Sequence, residues 1–179
     1  TQWAIIGDNE YTPCASTRKV LPSGLYLPKW SPEHGPIFNQ ITLNADDLID
    51  FPDATFGEVT REIDEFWKLG GTFKNYGFLH RRGFLLYGPA GGGKSCLVAR
   101  ICQNVINNNG IAFQCHSGNV HSFFDALTAF RLVEPTRHII CVFEDIDATI
   151  EKSGESILLS LLDGENQVDK VVNIATTNY

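Results

Sequence analysis

The chain has 179 residues, about one domain or one domain with a small appendage. Its 43% hydrophobic and 20% charged residues, with no low-complexity tract, describe a globular chain with a core to bury, and exclude a disordered, collagenous or disulfide-built one. Fourteen basic against 21 acidic side chains leave a net charge of −7, which argues against nucleic-acid and membrane-surface partners, and no apolar run approaches the roughly 18 residues of a membrane span.

Five scattered cysteines, Cys14, Cys96, Cys102, Cys115 and Cys141, form no C-x-x-C pair and read as reduced thiols of a cytoplasmic protein. No signal or transit peptide is visible. The chain begins at Thr1 and contains no Met, so it is expected to be a piece of something longer.

Residues 1–52 hold six of the eight prolines and are expected to form a small β-rich segment of unassigned role. Within it, Gly24–Trp30 and Pro36–Leu43 suit the arms of a hairpin around Ser31-Pro32-Glu33-His34-Gly35. At Thr55 and Glu58 a capping box opens a helix carrying Phe56, Val59, Ile63, Phe66 and Trp67 at helical spacing, and Gly70-Gly71 is expected to stop it.

From there strands and helices alternate. Apolar strands are expected at Gly83–Tyr87, Ile111–Cys115, His138–Phe143 and Lys170–Ala175. Helical patterns lie between them at Ser95 to about Asn107, Ser122–Arg131 and about Glu155–Asp163. Alternation of this kind predicts an α/β fold, a three-layer α/β/α core over residues 53–179 with a mainly parallel sheet covered on both faces.

Gly88-Pro89-Ala90-Gly91-Gly92-Gly93-Lys94-Ser95 fits G-x-x-x-x-G-K-[ST], directly after one of these strands and directly before a helix. Glycines let the backbone curl so that amide N–H groups point at a phosphate, and the helix adds its positive end. Lys94 is expected to reach the β- and γ-phosphates of ATP, and the Ser95 hydroxyl to hold Mg²⁺.

The strand His138–Phe143 ends abruptly in Glu144, Asp145 and Asp147. Ligands bind at the carboxyl ends of strands in open α/β sheets. By position Glu144 is assigned to the metal and Asp145 to the attacking water. A third strand ends in Ala175-Thr176-Thr177-Asn178, and the Asn178 amide could donate to a γ-phosphate oxygen while accepting from that water.

Together these three motifs resemble the AAA family of P-loop ATPases. Gly88–Ser95 looks like its Walker A motif, Phe143–Asp147 like Walker B, and Asn178 like sensor 1. Residues 81–89, the Glu-Asp order of Walker B and the stretch 158–178 are most similar to the branch of the mitochondrial AAA translocase that inserts the Rieske iron–sulfur protein. The likeness runs from about residue 55 to 179. Most of the family has Pro at the place of Ala90 and Thr at that of Gly92, and runs Asp then Glu in Walker B. The reversal here leaves open which of Glu144 and Asp145 is the essential acid.

The resemblance implies ATP binding and hydrolysis coupled to remodelling or translocating a protein client, in a homo-oligomeric ring completed by a neighbour's arginine. That arginine, sensor 2 and the helical lid would lie beyond Asn178, so weak activity is expected of this stretch alone. The resemblance also suggests that Cys96 borders the nucleotide, and that Asn75-Tyr76-Gly77-Phe78, with Tyr76 and Gly77 foremost, borders the adenine. Two rival functions share the same motifs: an ATP-dependent nucleic-acid machine of the helicase or clamp-loader type, and a nucleotide-gated scaffold that does not hydrolyse.

Other features carry less. His116–His121 contains no aromatic residue, which speaks against a threading loop, and Phe123 falls on an apolar helical stripe. Cys115, His116 and His121 match no closed zinc-site spacing. Arg81-Arg82 reads as a solvated strand entry.

Overall fold

The computed structural model describes residues 2–43, 54–116, 120–154 and 168–178. Strands β1 (Gln2–Gly7) and β2 (Glu10–Cys14) pair antiparallel as a separate two-stranded ribbon. Strands β3 (Gly24–Ser31) and β4 (Gly35–Ile41) form the expected hairpin, with Ser31 opposite Gly35 at its turn. Gly35 takes a φ of +70° there, which a residue without Cβ adopts freely.

Helix α1 (Ala54–Lys68) starts a residue before Thr55 and ends before the glycine pair, as the spacing requires. Gly70-Gly71 does not end helical structure, however: it opens a second short helix, α2 (Gly70–Asn75). The chain then runs β5 (Arg81–Tyr87), α3 (Lys94–Asn107), β6 (Ile111–Cys115), α4 (Val120–Val133), β7 (Ile139–Phe143), α5 (Ile146–Ser153) and β8 (Val171–Thr177). Helix α5 follows the acidic strand end and was not expected. The helix expected at about Glu155–Asp163 lies outside the described residues.

These strands build one six-stranded sheet in the order β4-β3-β6-β7-β8-β5, parallel throughout except for β4. The hairpin from residues 1–52 is thus bonded into the core sheet, because β3 runs parallel to β6 with Leu25 opposite Ala112. Central β7 is buried along its whole length. Its alternate side chains divide between two cores. Ile140 and Val142 pack with Phe66, Val98 and Ile101 of α1 and α3, whereas Ile139, Cys141 and Phe143 pack with Phe123, Leu127 and Phe130 of α4. The architecture is the expected α/β/α sandwich.

A buried ion pair stands at the entry to β3. Glu134 and Arg137 pair at 2.9 Å with their side chains almost excluded from water. Glu134 also accepts from the Leu21 N–H at 2.7 Å, while Arg137 donates to the Leu21 carbonyl and to Ser23 Oγ. Two charges taken from water are retained where each finds further hydrogen bonds, and here those bonds hold the entry to β3.

Candidate active site

Parallel strands end together, so whatever follows them meets at one edge of the sheet. Tyr87 lies opposite Thr177, which sets Gly88 and Asn178 at the exits of adjacent strands. Phe143 lies opposite Ala175, which brings Glu144 and Asp145 out beside them. The three predicted motifs therefore occupy one rim.

In the phosphate loop Gly91 and Gly93 take φ values of +80° and +77°, where a side chain is strained. Gly93 is also the N-cap of α3 and supplies no capping side chain, leaving the helix's first amides to a ligand. Lys94 lies across the loop, its Nζ donating to the Gly88 carbonyl at 2.8 Å and the Pro89 carbonyl at 2.9 Å. Pro89 and Ala90 form the exposed crest of the loop, where the Gly92 N–H closes a turn onto the Pro89 carbonyl at 3.1 Å.

A cavity of about 600 Å³ opens beside the loop. Gly91, Gly92, Gly93 and Lys94 of the loop line it together with the apolar Leu85, Cys96 and Leu97. Phe56 of α1 and Arg100 of α3 close one wall, with the guanidinium 3.9 Å above the ring centroid. Tyr76 and Gly77 are not among the lining residues. They stand with Phe78 on the exposed turn after α2, Gly77 at a φ of +72° and the Tyr76 and Phe78 rings largely open to solvent.

Ser95 and Glu144 line a second, smaller cavity of about 220 Å³ together with Gln114 and Thr42. Glu144 accepts a hydrogen bond from Gln114 Nε2 of β6 at 3.0 Å. Gln114 was missed by motif reading, although it is the one polar residue inside the apolar run Ile111–Cys115. Cys102 lies in the same wall, and burial, with Glu144 nearby, pushes its thiol up to about 12, so it stays protonated.

Asp145 is exposed and takes φ +47° and ψ +59°, a left-handed conformation that aspartate tolerates better than most residues. The kink turns the chain out of β7. The Asp145 N–H then donates to Thr176 Oγ1 at 3.0 Å, and its Oδ1 accepts from Asn178 Nδ2 at 3.1 Å. The residues predicted to orient water and to sense phosphate thus touch each other. Asp147, half-buried, accepts from Thr177 Oγ1 at 2.6 Å.

A glycine-rich loop between a parallel strand and a helix, with carboxylates on the strand next but one, defines a P-loop nucleoside-triphosphatase fold. The sequence model of the ATPase family associated with various cellular activities (AAA) matches residues 84–179, more than half of the chain, and the chain belongs to that family.

An AAA-ATPase of Arabidopsis thaliana is 28% identical over 144 residues, covering 78% of this chain and 29% of its own length. The probable mitochondrial chaperone bcs1 of Schizosaccharomyces pombe is 26% identical over 133 residues, covering 68% of this chain and 29% of its own. The chain thus spans less than a third of the length of these relatives. Among solved structures, C. elegans PCH-2 superposes with a TM-score of 0.55 at 17% identity, over 75% of this chain and 40% of that one, a likeness of fold. Among the described residues no helix is long and apolar enough to cross a membrane.

Proposed function

We propose that this chain is the catalytic part of an ATPase that hydrolyses ATP to ADP and phosphate, and that the full-length protein spends the cycle on remodelling or moving a protein client. The loop amides of Gly91–Ser95 and the N-terminus of α3 hold the β-phosphate, and Lys94 exchanges its two loop carbonyls for the β- and γ-phosphate oxygens. Ser95 and Glu144, hard oxygen donors in one cavity, fit Mg²⁺, which when bound supplies charge neutralisation across the β- and γ-phosphates. Asp145 takes a proton from the attacking water, and Asn178 holds that water and the γ-phosphate in line. Family membership supports a homo-oligomeric ring. The mitochondrial chaperone among the relatives supports a protein client. The buried thiols Cys102, Cys115 and Cys141 support a reducing, cytoplasm-like compartment.

The observation that carries this reading is the register that sets Gly88 beside Asn178 and Asn178 against Asp145. Calorimetric titration of magnesium ATP into the full-length protein tests it. Lys94→Ala removes two charge-assisted contacts to phosphate and should weaken binding by about 100-fold, roughly 3 kcal/mol. Unchanged affinity would overturn the site assignment. Retention of the protein on DNA in a salt-sensitive manner would favour a nucleic-acid machine instead.

A further inference from the structure

Of the three carboxylates after β7, Asp147 has no role in the chemistry above. Its place in the first turn of α5 suggests a bland one, an acid beside the positive end of a helix. Its hydrogen bonds point elsewhere. The first amides of α5 are met by the Asp145 carbonyl, at 3.0 Å from Ala148 N and 3.4 Å from Thr149 N, and α5 has no side-chain cap. Asp147 Oδ2 instead faces β8, taking the Thr177 hydroxyl at 2.6 Å and, at a longer 3.4 Å, the Asn178 N–H.

The backbone explains why a side chain is needed there. The ladder between β7 and β8 ends at the pair Phe143 and Ala175, because Asp145 turns away into the left-handed region. Residues 176–178 must nonetheless stay in register with the acids, since Asn178 acts on the same water as Asp145. Three side-chain bonds continue the seam that the ladder leaves: Asp145 N to Thr176, Asp147 to Thr177, and Asn178 to Asp145. The ladder with β5 holds the other edge of β8 as far as Thr177. On the β7 side two of the three bonds involve Asp145 itself, and the Asp147 bond is the one that fixes Thr177 independently of the group Asn178 serves. A carboxylate is the strongest neutral-hydroxyl acceptor available for that task.

We infer that Asp147 is a positioning residue for hydrolysis, a half-buried anchor that locks Thr177 and through it aims the Asn178 amide at Asp145. The inference rests on the proposed ATPase reading and assigns a further residue to the same site. Misplacing a reacting group by about 1 Å costs on the order of 100-fold in rate, and loss of an orienting partner 10- to 100-fold.

Steady-state phosphate release and nucleotide affinity of the full-length protein, measured side by side, test it. Asp147→Ala should lower kcat by about 10- to 100-fold while the affinity for magnesium ATP stays within about twofold, because the phosphate loop hangs from β5 and α3. Asp147→Asn, whose amide oxygen still accepts from Thr177, should recover most of the rate. Thr177→Val should reproduce the loss, and combining it with Asp147→Ala should add little, as members of one contact do. Wild-type kcat in both Asp147→Ala and Thr177→Val would overturn the inference and leave the ATPase reading standing. So would a parallel fall in affinity, or additive losses in the double variant. No phosphate release from the wild type, and nucleotide affinity unchanged by Lys94→Ala, would overturn the ATPase reading and this inference with it.

Discussion

Gly93 joins two demands that only one residue type meets. It bends the loop at a φ of +77° and it caps α3 without a side chain that would compete with an anion. A Cβ there meets no neighbour within 4 Å, so the cost of substitution is conformational and not steric. Gly93→Ala should therefore fold normally and weaken ATP binding about tenfold, matching the roughly 1–2 kcal/mol of left-handed strain, as a titration of magnesium ATP would read. This loop was legible in the sequence because eight adjacent residues carry its chemistry through their own backbone. The sequence suggested Asp145 and Asn178 separately, and their contact came only with the fold. Gln114 and Asp147 gave no signal of their partners, which lie 30 residues away in each case. Tyr76 and Gly77, taken from resemblance, stand on an exposed turn, while Phe56 and Arg100 wall the cavity from helices that periodicity alone could not orient toward it.

Between elements, the packing of α1 on the sheet is recorded by rings. Trp67 stacks on His138 at 4.3 Å and nearly parallel, and Phe66 lies 4.0 Å from His80, whose Nε2 bonds the Phe66 carbonyl at 2.6 Å. His138 stands just before β7, and burial, then His80, Arg131 and Lys170, hold its pKa below the ordinary 6.5. The unfolded chain therefore takes up its proton near pH 6.5, at a higher pH than the folded chain does, and stability falls as the pH drops through that value. Urea midpoints should decline between about pH 7.5 and about pH 5.5, and His138→Gln should flatten that decline. The helix start near Thr55, the break at the glycine pair and the edges of α3 and β6 follow from local pattern. Helix α5 does not, since its eight residues are too few for a clear apolar period and its start is set by the kink at Asp145.

At the scale of the molecule, the N-terminal hairpin is anchored by the ion pair of Glu134 and Arg137. Removing one partner strands the other charge with little water to receive it. Glu134→Ala should destabilise the protein by about 3 kcal/mol and speed amide exchange in β3 before it speeds exchange in β7, which hydrogen exchange read by mass spectrometry would show. Elimination of that difference, with β3 no faster than β7, would mean that strand pairing with β6 alone holds the hairpin.

By themselves the residues determined most of the strands and helices and the place of the phosphate loop, though not α2 or α5, because helical and strand periods and a glycine-rich bend are written in neighbours a few positions apart. Only the tertiary structure decided that β3 and β4 extend the central sheet, that β8 lies between β7 and β5, and that Asp145, Asp147 and Asn178 join in one seam. Strand order is a choice among many pairings with the same period, and it is settled by which faces the two helical layers can bury together.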